Sequence, residues 1–221
     1  MADQDSRAGN GYATPQILDY AARTHHPHDE GLERAFRAPA RLGMPEIQLG
    51  PSEGRLLEIL LRLADARNVV EVGTLAGYSA LWMARALPAG GRLWTIESES
   101  EHAEVAATLI EQAGFADRVT VIRGDAAEEL PKLNDFGPFC AVFLDADKGR
   151  YDLYGRWATD NLRAGGLLIA DNAYLFGRLL DESEDARAMR RFHEETAVNY
   201  RSVCVPTPDG LVVGVRVDPK A

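Results

Sequence analysis

The residues best suited to chemistry stand where apolar runs end. Residues 141–144 (AVFL) give way abruptly to Asp145, Ala146, Asp147 and Lys148, two acids and a lysine at the mouth of a strand. Burying charge costs free energy unless a partner offsets it, so this grouping points to a ligand. Four more apolar runs behave alike. VVEVG ends around Glu71 and Gly73, LWTI runs into Glu97, VTVIRG into Asp125, and LLIA into Asp171 and Asn172. In a parallel α/β sheet, ligands bind at the carboxyl ends of the strands. Five strand-like runs, each delivering a carboxylate near its exit, imply one acidic rim that receives a cationic cofactor and a divalent metal.

The spacing narrows the cofactor. The first turn reads Gly73-x-x-x-Gly77 and not the dinucleotide G-x-G-x-x-G. Its glycines let the backbone approach a ligand closely. Glu97 lies 24 residues past Gly73, where an acid takes ribose hydroxyls. The bland alternative is that Glu97 caps the next helix and the glycines merely turn the chain. A pyrophosphate wants helix N-termini and basic groups, whereas S-adenosylmethionine carries a sulfonium and an ammonium and no phosphate. A rim holding Glu71, Glu97 and Asp125 therefore favours methyl transfer over hydride transfer. Asp145, Asp171 and Asn172 offer hard oxygens, which suit Mg2+ (or Ca2+ or Mn2+) better than zinc. An Asp-Asn pair alone says little, since either residue caps helices or makes turns. Beside Asp145-x-Asp147-Lys148 it gains weight.

Positioning these groups requires alternating strands and helices. The periodicity predicts a helix from Thr14 with Ile17, Leu18, Ala21 and Ala22 on one face, broken by His25, His26, Pro27 and His28. A second helix runs from Asp29 or Glu30 towards Leu42. The three histidines lack further Cys or His at zinc-ligand spacing, which leaves a solvated turn or a substrate entrance. Ser52 is the expected N-cap of a helix whose apolar face comprises Leu56, Leu57, Ile59, Leu60, Leu61 and Leu63. Strands follow over 69–72, 93–96, 119–122, 141–144 and after the Gly165-Gly166 turn. Helices between them cover 80–87, 100–112, 126–133 and 151–161. Units of roughly 25 residues suit right-handed parallel crossovers. Beyond Asn172 an exposed helix spans 181–197. Strands over 202–205 and 211–217, joined by a Pro-Asp-Gly turn, form an antiparallel hairpin. Trp82, Phe143 and Trp157 read as core; Tyr12, Met44, Tyr174 and Phe176 are candidates for a substrate pocket.

Composition sets the bounds. The chain of 221 residues suits one large domain. A formal charge of −10 argues against nucleic acid or anionic membrane as main partner. No run approaches the ~18 apolar residues of a membrane span. The first residues lack the basic start and apolar core of a secretory signal. Cys140 and Cys204 fall in apolar runs, as free thiols of a reducing cytoplasm would.

VVEVGTLAGYSA, RLWTIES, RGDA, FLDADKGRYDLY and GGLLIADN, in that order, resemble the cation-dependent O-methyltransferases of the caffeoyl-CoA and catechol type. The resemblance spans residues 51–177; the first fifty residues match only in helical character. It implies an α/β, Rossmann-like class I methyltransferase sheet of seven strands, five parallel crossover strands plus a C-terminal antiparallel hairpin, with helices on both faces. Residues 51–221 form the methyltransferase domain, and 1–50 a helical extension for substrate and dimer contacts. By motif, Glu71, Gly73 and Ser79, with Tyr78 beside them, hold the methionine part of S-adenosylmethionine. Glu97 grips the ribose, Asp125 and Ala126 flank the adenine, and Asp147 and Tyr154 lie near the amino-acid end. Asp145, Asp171 and Asn172 fall on the metal ligands and Lys148 on the general base. The implied partner is a small phenol carrying vicinal hydroxyls, and the implied assembly a homodimer. Leu49 replaces a cofactor-side threonine and Phe176 a substrate-binding asparagine of the plant enzymes, which disfavours a CoA-thioester substrate. A nicotinamide-dependent oxidoreductase on the same sheet and a non-catalytic nucleoside binder are the rival readings.

Overall fold

The computed structural model describes residues 3–4 and 11–217. Three helices lead in: α1 (Pro15–His25), α2 (Glu30–Leu42) and α3 (Pro51–Leu63). Then come β1 (Asn68–Val72), α4 (Tyr78–Ala86), β2 (Arg92–Glu97), α5 (Ser100–Gln112), β3 (Val119–Arg123) and the short α6 (Ala126–Glu129). The chain closes with β4 (Phe139–Leu144), α7 (Tyr151–Asn161), β5 (Leu162–Ala170), α8 (Glu184–Asn199), β6 (Tyr200–Val205) and β7 (Leu211–Arg216). The seven strands form one sheet in the order β3-β2-β1-β4-β5-β7-β6. Strands β1 to β5 are mutually parallel, and β7 runs antiparallel to both β5 and β6. The expected five-strand crossover sheet with a closing hairpin is what forms.

Continuous apolar runs serve here because both faces are covered. Val69, Ala141, Phe143, Leu167 and Ile169 face a core shared with α2, α3, α4 and α5. Their neighbours Val70, Val72, Val142, Leu144, Leu168 and Ala170 face the opposite core under α6, α7 and α8. Leu32, Ala35 and Leu49, from before residue 51, belong to the first of these cores.

Local chemistry moves several boundaries. Gly50, not Ser52, is the N-cap of α3, because Pro51 takes the first helical position, where its missing N–H costs nothing. Glu53 reaches back to accept from the Gly50 amide at 2.9 Å. Of that helix's predicted apolar face, Leu57 and Leu61 are buried while Ile59 and Leu63 are exposed. Gly165 and Gly166 lie inside β5 and do not precede it. Pairing jumps from Phe139↔Leu162 to Ala141↔Leu167, and Gly165 absorbs the bulge at φ 74°. Helix α8 is not merely a solvated helix: Ser183 caps it, and Ala186, Ala188, Met189, Phe192 and Thr196 are buried. Trp82 and Phe143 are core, whereas Trp157 is half-buried and donates to Asn134 Oδ1 at 2.9 Å.

Helices α3 and α4 meet at a point that tolerates no side chain. A Cβ on Gly54 would stand 2.3 Å from Cδ1 of the wholly buried Trp82. Alanine improves helix propensity by about 1 kcal/mol, but overpacking a core costs about 1–3 kcal/mol. Gly54→Ala is therefore expected to lower stability in urea melts by about 1–2 kcal/mol; a variant as stable as the parent would contradict this packing.

Candidate active site

Past the strand ends the ladder continues. The Gly73 amide donates to Ile96 O (2.9 Å), Gly124 to Glu97 O (2.9 Å), Asp145 to Val72 O (2.8 Å) and Asp171 to Leu144 O (3.0 Å). These bonds draw the exits of β1 to β5 to one edge, around a cavity of about 680 Å3. Its walls include Gly73, Tyr78, Ser79, Glu97, Asp125, Ala126, Asp145, Asp147, Lys148, Tyr154 and Asn172, so most of the predicted site residues share one cleft. Glu71 and Asp171 do not line it; both are buried beneath or beside the wall.

At the β1 exit, Glu71 is fully buried and its Oε1 accepts from Ser79 Oγ at 2.5 Å. Its Oε2 has no hydrogen-bond partner among the described residues. Thr95 lies nearby and opposes the carboxyl's shift, but its hydroxyl is engaged with Thr74 Oγ1 at 2.5 Å. Burial pushes this carboxyl up to about 8, with Asp145 and Glu97 adding to the rise. Gly73 follows at φ 96°, and a Cβ there would stand 2.0 Å from Asp145 O. Only glycine lets the β1 and β4 exits come this close.

Glu97 ties the start of α5 to the β1 turn. It accepts from Glu99 N (3.0 Å) at the start of α5, and from Thr74 N (3.1 Å) and Leu75 N (2.8 Å) across the β1 turn. A carboxylate offers about four acceptor positions, three of which are filled here, and Glu97 lines the cleft. Asp125 caps α6 through Ala127 N (2.8 Å) and is paired with Arg150 at 2.7 Å, which together hold its carboxyl below the usual range. Asp147 caps the turn through Gly149 N at 3.0 Å and also meets Arg150 at 3.3 Å.

The β4 and β5 exits carry the remaining acids. Lys148 Nζ donates to Asp145 Oδ1 at 2.8 Å and to the Tyr151 hydroxyl at 3.0 Å. Asp171 is only 7% exposed, and burial, then the charge of Asp145, pushes its carboxyl up to about 7. Asn172 lines the cleft at φ 54°. Among the described residues no three His, Cys, Asp or Glu side chains gather as a metal cluster. The set is two carboxylates and an amide. Its donor chemistry, all hard oxygen, fits Mg2+ or Ca2+ with waters completing the shell.

Tyr78 lines the cleft, while its hydroxyl bonds His28 Nε2 at 2.7 Å and its ring packs on Phe36 and Trp82. The expectations for the histidines and for the substrate pocket need correction. No histidine of the 25–28 turn lines the cleft: His26 is buried against Ser52 (3.1 Å), and His28 also meets Glu33 at 2.9 Å. Among the pocket candidates Phe176 lines the cavity, while Tyr12, Met44 and Tyr174 do not. Three features were not read from the sequence: residues 45–48, His102 and Arg150 all line the cleft, as does Leu49. The 45–49 segment has no periodicity to betray it. His102 sits one turn past the Glu97 exit, 4.0 Å from Glu97 Oε1, and its position was the available signal.

A family profile described as O-methyltransferase matches residues 23–217. The chain belongs to the O-methyltransferase family. That match extends well beyond the motif-bearing stretch of 51–177 and sets hydride transfer aside. Among relatives of this O-methyltransferase, a catechol O-methyltransferase of Niastella koreensis is 43% identical, covering 85% of this chain and 86% of that one. One of Mycobacterium tuberculosis is 40% identical over 79% of each. The solved O-methyltransferase TomG of Streptomyces achromogenes, in complex with SAM, is 32% identical with a TM-score of 0.88 over 98% of this chain and 100% of that one. The Bacillus cereus O-methyltransferase, in complex with SAH, superposes with a TM-score of 0.86 at 32% identity, over 91% and 97%. No helix among the described residues is long and apolar enough to cross a membrane.

The buried carboxyl makes a prediction about pH. An unfolded Glu71 titrates near its usual 4.5, and the folded one near 8. The folded O-methyltransferase thus keeps a proton that the unfolded chain has released. Stability from this group is complete below about pH 4.5 and is lost as pH rises through about 8. Glu71→Gln removes that dependence. Ligand-free melting temperatures taken between about pH 5 and 8.5 are expected to fall more steeply for the parent than for this variant, and parallel curves would refute the assignment.

Proposed function

We propose that the chain transfers a methyl group from S-adenosylmethionine to one hydroxyl of a catechol-like small molecule, with a divalent metal as second cofactor. The observation that carries the reading is the convergence of five strand exits at one cleft, with Glu97, Asp125 and Asp145 on its wall and Glu71 and Asp171 buried beneath or beside it. Such a rim attracts cationic guests and repels phosphates. The names of the two bacterial catechol enzymes point the same way.

When bound, S-adenosylmethionine supplies an electrophilic methyl, and the metal supplies Lewis acidity that brings a phenolic pKa of about 10 towards neutrality. The chain's own residues do the rest. Asp145, Asp171 and Asn172 would hold the metal. Glu71, Gly73 and Ser79 would hold the methionine end, with Tyr78, Asp147 and Tyr154 near it; the unpartnered Oε2 of Glu71 is the acceptor an ammonium requires. Glu97 would bind the ribose, and Asp125 with Ala126 would flank the adenine. Lys148, on the cleft wall beside Asp145, takes the proton from the acceptor hydroxyl. Leu49 and the exposed Phe176 give the cleft apolar surface, which suits a free phenol better than a CoA thioester. The enzyme on this reading is cytoplasmic, a setting compatible with its two free cysteines.

Two substitutions test the chemistry. Asp171→Ala is expected to lose about a hundredfold or more in turnover of a catechol, and Lys148→Ala about 10²–10⁴-fold. Full activity of the first in the presence of a chelator would remove the metal from the mechanism. An unchanged rate of the second between about pH 6 and 9 would remove the base.

The N-terminal region, on the same reading, serves substrate and dimer. Residues 45–49 line the cleft, and α1 buries none of its residues among those described, leaving Ile17, Leu18 and Tyr20 exposed. A homodimer covering that face is proposed. Sedimentation equilibrium is expected to find a dimer that Ile17→Glu with Leu18→Glu converts to monomer; a monomeric parent would refute it.

A further inference from the structure

Lys148 ends a flexible four-carbon stem, and a proton acceptor is useful only when aimed. What aims it is a side chain that plays no part in the mechanism above. Tyr151, the first residue of α7, is wholly buried. Its hydroxyl lies 3.0 Å from Lys148 Nζ, 3.0 Å from Asp171 O and 3.2 Å from Leu144 O. An ammonium only donates and a carbonyl only accepts. The single phenolic proton must therefore point at the two carbonyls, and the oxygen's lone pair at Lys148. No other orientation satisfies all three partners.

We propose that Tyr151 is a positioning residue, whose hydroxyl clamps the Lys148 ammonium against Asp145 while tying the exits of β4 and β5 together. Leu144 O and Asp171 O belong to those two exits, so one oxygen fixes the lysine relative to both strands that carry the metal-binding acids. Asp145 and Tyr151 occupy two of the three ammonium N–H groups. The third is left for the cleft, which Lys148 lines; release of that proton to solvent leaves there the lone pair that accepts the hydroxyl's proton. The tyrosine is itself held. It follows Lys148 by three residues across a 3-10 turn, the spacing that stacks side chains on one edge. Phe192 of α8 packs edge-on against its ring at 5.5 Å, and Gly155 leaves room for Phe192, since a Cβ there would approach it to 2.7 Å. A phenylalanine would fill the same space. The hydroxyl's partners all belong to the site, and burying it has no return unless they are engaged.

The inference rests on the reading of Lys148 as base, and a double-mutant cycle separates the two. Tyr151→Phe keeps the ring and its packing. It is expected to lower kcat about ten- to a hundredfold with the KM for S-adenosylmethionine unchanged, and to have no further effect on kcat in a Lys148→Ala background. An equal loss in both backgrounds would show that Tyr151 acts independently of the lysine and would overturn the proposal. A normal rate in Lys148→Ala alone would fail the base reading, leaving the clamp to be judged by spectroscopy. The sequence has only three lysines, Lys132, Lys148 and Lys220. In the unsubstituted protein the Lys148 ammonium is expected to give a slowly exchanging 1H–15N signal that Tyr151→Phe abolishes. A Lys148 signal that exchanges as fast as that of the exposed Lys132, or one unaltered by the substitution, would overturn the clamp. The parent spectrum alone decides should the variant fail to fold.

Discussion

Main-chain hydrogen bonding that outlasts the strands is what makes this site. Inside the sheet, parallel pairing is unremarkable, but here each strand's neighbour accepts one more amide after the regular pairing has stopped. The residues delivering those amides are Gly73, Gly124, Asp145 and Asp171, or stand next to them in the acidic rim. Carboxylates are thereby fixed in place by backbone and not by their own flexible side chains. A rim assembled from loops would relax away from its own repulsion. This one cannot, because moving an acid means breaking the ladder that ends beneath it.

The trapped charge is compensated in distinct ways along the edge. At the β3 exit Arg150 spans Asp125 and Asp147. At the β2 exit three main-chain amides converge on Glu97. At β4 a lysine answers Asp145. Two acids are compensated less fully. Glu71 lacks any cation and one of its oxygens lacks any donor; Asp171 is buried beside another acid, and both carboxyls are pushed upward. Incomplete compensation of buried acids is what a site prepared for positive guests looks like before they arrive. On the proposed function these would lie one against β1 and one against β5.

How much of this was legible depended on how local each determinant is. The strands, their order of appearance and the helices 100–112 and 151–161 were written in periodicity and matched residue for residue in the two helices. The acids at the exits were legible because strand ends are marked by the end of apolar runs. Boundaries set by backbone geometry were not. Pro51 displaced the cap from Ser52, and the bulge at Gly165 depends on register with β4, which no single segment encodes. Tyr78 was placed by its motif, but the partner of its hydroxyl, His28, lies fifty residues earlier in the chain and no local pattern points to it. Arg150, His102 and residues 45–48 reach the cleft through the third dimension alone. Their sequence neighbourhoods are those of ordinary surface.

The strand order explains why two unlike guests would end up beside each other. Reading outward, β1, β2 and β3 lie to one side and β4 and β5 to the other, so the order reverses between β1 and β4. Crossover helices on opposite faces part there and leave a crevice. The acids assigned to the nucleoside, Glu97 and Asp125, fall on the first side, and the oxygen donors Asp145, Asp171 and Asn172 on the second. On the proposed function the methyl group would pass where the two sets adjoin. That junction is the contact of Gly73 with Asp145 O, where a single added carbon would stand 2.0 Å from the carbonyl oxygen. Glycine at this position does more than turn the chain: it lets the β1 and β4 exits close on each other, and on the proposed function it would set how near donor lies to acceptor, a proximity that supplies much of the acceleration in a group transfer.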